Sequence, residues 1–155
     1  MPLLAKHHDF DALGDRLRAA DAVTATLMSE LIAATCRRSP SIGQAAKTAR
    51  IERLIGSQAW TDAALALIDL ELPQWQVRRI AYDEGEWHCA LSRAREVPDW
   101  LDQSIETRHG DLPLAILGAY LDARHFSASS RPASVPLVPR GASALYTPLC
   151  CDNFA

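Results

Sequence analysis

The side-chain rhythm of this chain switches from helical to extended at Pro73. Before it, apolar residues recur every three or four positions; in the segments that follow it directly they alternate. A sequence written in the helical period cannot bury one face as a strand, and the reverse also holds, so the switch commits the chain to a mixed architecture with its helices first.

Upstream of the switch, the segment from Asp9 to Arg38 contains no proline and sets Phe10, Leu13, Leu17, Ala20, Thr24, Leu27, Leu31 and Ala34 at alternating steps of three and four. This stripe predicts one helix over 9–38, about 40 Å long at the usual rise per residue. Such a length outruns a small domain, so the helix either bends, near Gly14 or Thr24 to Thr26, or presents part of its stripe to another chain. Ser39 and Pro40 then read as the cap and first position of a second helix ending at Gly56. A third follows over 59–72, restarted by Ser57 or Thr61 and closed by Pro73.

Downstream, WQVRRIAYD and WHCALS flank an acidic Glu84-Gly85-Glu86 turn and read as a β-hairpin. With Tyr82 opposite Trp87, alternation gathers Ile80, Tyr82, Trp87, Cys89 and Leu91 on one apolar face. Trp75, Val77, Arg79, Ala81, His88, Ala90 and Ser92 then fall on the other, a mixed face that a helix would partly cover. Ser92 to Asp102 reads as a loop with one helical turn, SIETRH at 104–109 as a third strand, and 111–125 as a closing helix capped by Asp111. That last helix has almost no polar side and should lie buried across the sheet. The expected class is therefore α+β: N-terminal helices followed by a small antiparallel sheet of two to three strands, covered by helices, in one domain over 1–126. From 127 to 155 five serines and four prolines replace any period, which predicts a disordered tail; it contains Leu137-Val138-Pro139-Arg140-Gly141, a match to the thrombin cleavage sequence.

From Trp60 to Asp122 the order is an alanine-rich helix ending in Leu72-Pro73-Gln74-Trp75, a hairpin carrying Trp87, and an alanine-leucine helix through Leu114 to Leu121. This arrangement resembles small helix-sheet-helix sandwich proteins of bacterial and phage origin. The resemblance implies an architecture and supplies no catalytic residues.

A formal charge of −3 removes the overall positive field that favours nucleic acid, and no apolar run approaches the length of a membrane span or a secretory signal, so a cytoplasmic protein is expected. Cys36, Cys89, Cys150 and Cys151 have neither disulfide-framework nor zinc-site spacing, and His7, His8, His88, His109 and His125 form no metal-ligand pair; no metal, cofactor or catalytic residue is assigned. Common hydrolase and nucleotide-binding signatures are missing as well. Two weaker groupings remain. Trp75, Arg79, His88 and His109 would line a ligand face on the sheet, and Arg37, Arg38, Lys47, Arg50 and Arg53 would form a basic patch, which reads as a solvated helix face before a nucleic-acid site. The first functional expectation is a non-enzymatic protein-binding or regulatory module, with a protein partner or self-association through helix 9–38. A small enzyme or ligand-binding protein using the mixed sheet face is the alternative, and nucleic-acid binding by the basic helix comes third.

Overall fold

The computed structural model describes residues 2–36, 42–93 and 104–130. Five helices and three strands follow in the order α1 (Pro2–Ala19), α2 (Ala25–Thr35), α3 (Ile42–Gly56), α4 (Trp60–Glu71), β1 (Trp75–Asp83), β2 (Glu86–Arg93), β3 (Ser104–His109) and α5 (Leu112–Ser129). The strands form one antiparallel sheet in sequence order, and the helices pack on it, so the class is α+β. Residues 37–41, 94–103 and 131–155 lie outside this description, and with them the Ser39-Pro40 helix start, most of the loop read over 92–102, and all but the first residues of the Ser/Pro-rich segment.

The single helix expected over 9–38 is two helices, with a break between Ala19 and Ala25. Thr24 causes the break. Its backbone is extended and its hydroxyl accepts the Leu27 N–H at 3.2 Å, which makes it the N-cap of α2 rather than a member of a continuous stripe. Val23 before the cap and Met28 on the first turn are both buried, the positions of a hydrophobic staple. Arg16 pairs with Glu30 across the bend. The apolar stripe is consumed within the chain: Leu13, Leu17, Leu27 and Leu31 are all buried in the common core. A second boundary also differs in detail. The left-handed residue that closes α3 is Gln58, at φ 58°, two positions past Gly56. Gln58 N–H bonds to Ile55 O and Ala59 N–H to Leu54 O, the paired bonds of a Schellman ending.

In the sheet, Tyr82 stands opposite Trp87 and Ile80 opposite Cys89, as the alternation predicts. A β-bulge at Arg78 then shifts the register, so that Val77 faces Leu91 and Trp75 faces Arg93. Trp75 and Val77 consequently join the apolar face instead of the mixed one. Helix α5 covers that face over β2 and β3, and α4 meets β1. Close approach is fixed at one point, where the Thr107 hydroxyl donates to Ala115 O at 2.6 Å beside Gly118.

Helix α5 runs to Ser129, past the end expected near 125, because its last turns have work to do. The Trp75 indole N–H donates to Ser127 Oγ at 3.1 Å, Phe126 meets the same indole edge-on at 6.0 Å, and the Arg93 guanidinium lies 5.5 Å from both rings. One turn earlier, Arg124 donates to the Thr35 carbonyl, an orphan acceptor at the C-terminus of α2, and pairs with Glu71 at 3.4 Å on the last turn of α4. One cation thereby ties two negative helix ends to α5.

Replacing Arg124 with Met should therefore cost about 2–3 kcal/mol, because it strands a largely buried Glu71 carboxylate and a helix-end carbonyl. Urea denaturation measures this; an unchanged midpoint contradicts the clamp.

Candidate functional site

The hairpin turn is two residues long. Glu84 at φ 51° and Gly85 at φ 90° both occupy the positive region, the signature of a type I′ turn, whose twist matches the flanking strands. That turn holds Asp83 opposite Glu86 and sets the Tyr82 and Trp87 rings 5.1 Å apart, tilted by 55°. Burial falls along β1 toward this turn. Trp75 is 4% exposed, Ile80 is 38% and Tyr82 is 60%, although all three stand on the apolar face. Beyond the bulge the strand runs out from under the helices, so Ile80 and Tyr82 are the exposed large hydrophobics among the described residues. β1 is also an edge of the sheet, with β2 on its inner side.

The expected ligand face is divided by the sheet. Trp75 and His109 belong to the helix-covered side: Trp75 is held by Ser127 and Phe126, and His109 Nδ1 accepts the Asp111 N–H at 2.9 Å. That bond orders the entry to α5, where the Asp111 side chain makes no capping bond of its own. Arg79 and His88 stand on the opposite side, where His88 Nδ1 lies 3.0 Å from Glu106 Oε1. Of the basic patch, Lys47, Arg50 and Arg53 are exposed along α3 with Glu52 among them, while Arg37 and Arg38 lie outside the described residues.

A cleft that sequence reasoning missed opens between α1, β3 and α5. It measures about 500 Å³ and adjoins a second hollow of about 230 Å³, the two sharing Gly14, Arg18, Leu121 and Asp122 at their junction. Arg18 and His125 bring positive or titratable groups to the larger hollow, Asp11, Asp122 and Glu106 bring carboxylates, and Phe10 and Phe126 give it apolar wall. Burial raises the Asp122 pKa, opposed by Arg18 and His125. Arg18 is also engaged by Asp15 at 2.6 Å. The signal for this cleft was Asp122 itself, one of the few charged residues in an otherwise apolar helix. Its volume suits a small ligand, but its charges of both signs converge on no single chemistry.

The two thiols within the described residues are poorly suited to nucleophilic work. Burial pushes Cys36 up to about 11, with the Glu71 carboxylate adding to the shift, and burial alone pushes Cys89 up to about 11. Cys36 sits in a polar knot beside Thr35, Glu71, Arg124 and Tyr120, whose hydroxyl is likewise raised by burial. Among the described residues no group of three His, Cys, Asp or Glu side chains is placed to hold a metal ion, and no helix is long and apolar enough to cross a membrane. A comparison of the chain with protein-family models, curated proteins and solved structures returns no match.

A thiol whose pKa is higher in the folded state than in the unfolded one stabilises the fold below the unfolded value and loses that contribution as pH climbs toward the folded one. The urea midpoint should accordingly fall between pH 9 and pH 11. At neutral pH, site-resolved mass spectrometry should find Cys36 and Cys89 alkylated slowly in the folded chain and rapidly in urea. Fast modification of native Cys36 would contradict the burial argument.

Proposed function

We propose that this chain is a non-enzymatic protein-interaction module, working in the cytoplasm, and that its contact surface is the outer half of the hairpin. One observation carries the reading: Ile80 and Tyr82, the exposed large hydrophobics among the described residues, stand two residues apart on the same side of an edge strand, with Trp87 against Tyr82. An isolated exposed apolar residue is ordinary; an edge-strand isoleucine and tyrosine backed by a tryptophan of the neighbouring strand, on an edge that is unpaired among the described residues, have the composition of an interface centre. An extended partner segment would gain main-chain hydrogen bonds from β1 and side-chain contact with these three residues.

The competing readings have less support. Trp75, Arg79, His88 and His109 do not share a face, so a ligand site on the sheet loses two of its four members to the core side. On α3, three exposed basic side chains around Glu52 make a small patch on a chain of net negative charge.

Photo-crosslinking tests the reading. With p-benzoylphenylalanine in place of Tyr82, irradiation of cells producing the full chain should yield adducts to polypeptide, severalfold more than with the same probe in place of Lys47 on α3. No polypeptide adduct from the Tyr82 position, or equal yields from both, would overturn it.

A further inference from the structure

We propose that the polypeptide taken up by this surface is a second copy of the chain, joined β1 to β1 in antiparallel fashion about a two-fold axis through Ala81. The inference rests on the hairpin being the contact surface and adds the partner and its register. The bulge at Arg78 and the turn at Glu84-Gly85 leave a regular edge of five residues, Arg79 to Asp83. Antiparallel neighbours that face each other directly point to the same side of the sheet, so self-pairing of this short edge admits few registers.

Centring on Ala81 matches every position. Ile80 meets the partner's Tyr82, and Tyr82 meets the partner's Ile80, both on the helix side; Arg79 meets the partner's Asp83, and Asp83 meets the partner's Arg79, both on the open side. Alanine meets alanine on the axis. The two apolar pairs are flanked by the two Trp87 rings, each already against its own Tyr82. Neighbouring registers lose this agreement. Centring on Arg79 opposes two guanidinium groups, and centring on Ile80 sets Arg79 against alanine and leaves Asp83 facing Val77. A shift by half a step places Ile80 against a carboxylate.

The same geometry limits the assembly to two chains. An isologous contact uses the β1 edge of both copies and leaves only β3 edges outside, where the exposed residues are Ser104, Glu106 and Arg108. Two three-stranded sheets become one sheet of six, with both helical layers on one side. A ladder of this length sits at the small end of specific interfaces, the class of weak and reversible contacts.

Sedimentation velocity of the purified full chain, from low micromolar to sub-millimolar concentration, reads the association directly. The chain should dimerise reversibly. Arg79→Asp and Asp83→Arg, both at exposed positions and checked for unchanged circular dichroism, should each weaken the dimer at least about tenfold through like-charge opposition. An equimolar mixture of the two variants should recover it, because each then supplies the charge the other lacks. A chain monomeric at every concentration, or a dimer indifferent to both substitutions, overturns the pairing. If Tyr82-position crosslinks to a different polypeptide persist in that case, the interaction reading survives and only the identity of the partner falls; if no polypeptide is crosslinked, the reading itself falls.

Discussion

Helix α5 is apolar on nearly every side, and the remaining elements are arranged to remove those sides from water. From Leu114 to Ala123 eight residues are buried, spread around the full circumference rather than along one stripe. Such a helix needs neighbours in several directions at once: strands β2 and β3 beneath it, α4 along one flank and α1 along another. With about 1.5–3 kcal/mol gained for each buried Leu or Ile, the four such side chains in this stretch, Leu114, Ile116, Leu117 and Leu121, together outweigh any single polar contact described above. The polar contacts act as positioning devices at its margins. His109 fixes where α5 begins, Thr107 fixes its height above the sheet, and Arg124 and Ser127 fasten α2, α4 and β1 to its final turns.

The class, the order of elements after Pro73, the third strand at 104–109 and the pairing of Tyr82 with Trp87 were legible because each rests on a local pattern of apolar spacing or turn chemistry. What escaped was controlled by residues with two available roles. Thr24 fits the helical stripe and also makes an N-cap, and spacing alone favours the stripe. Arg78 and Arg79 look like ordinary solvent-facing strand residues. Yet the apolar positions run 75, 77, then 80, 82, and that change of parity is the trace of the bulge that moves Trp75 away from Arg79 and His88. Ser127 carries the composition of the tail but serves as the partner of an indole 52 residues earlier. Long-range partners of that kind leave no periodic mark, and neither does the cleft beside Asp122, which exists only once α1, β3 and α5 are packed.

Covering a sheet from one side has a consequence at its margins. The helices shelter Trp75, Cys89 and Leu91, while the hairpin continues past them and carries its apolar row into solvent. A short strand would have ended at the bulge and left nothing exposed. The extra length of β1, ending in a tight acidic turn, produces an edge that is unpaired among the described residues and bears Ile80 and Tyr82, and this is where the fold and the proposed role meet. Charges at both ends of that edge, Arg79 and Asp83, supply the register that apolar contact alone would leave undetermined.

The dependence of the whole arrangement on α5 can be read from native-state hydrogen exchange, which orders segments by the free energy needed to open them. Amides from Ile116 to Ala123, together with Cys89 and Leu91 on the strand beneath, should be the last to exchange, with protection equal to that of global unfolding. Exchange from α5 at or before the rate of α1 or α3 would contradict the account, since the hub would then open while its dependents stayed closed.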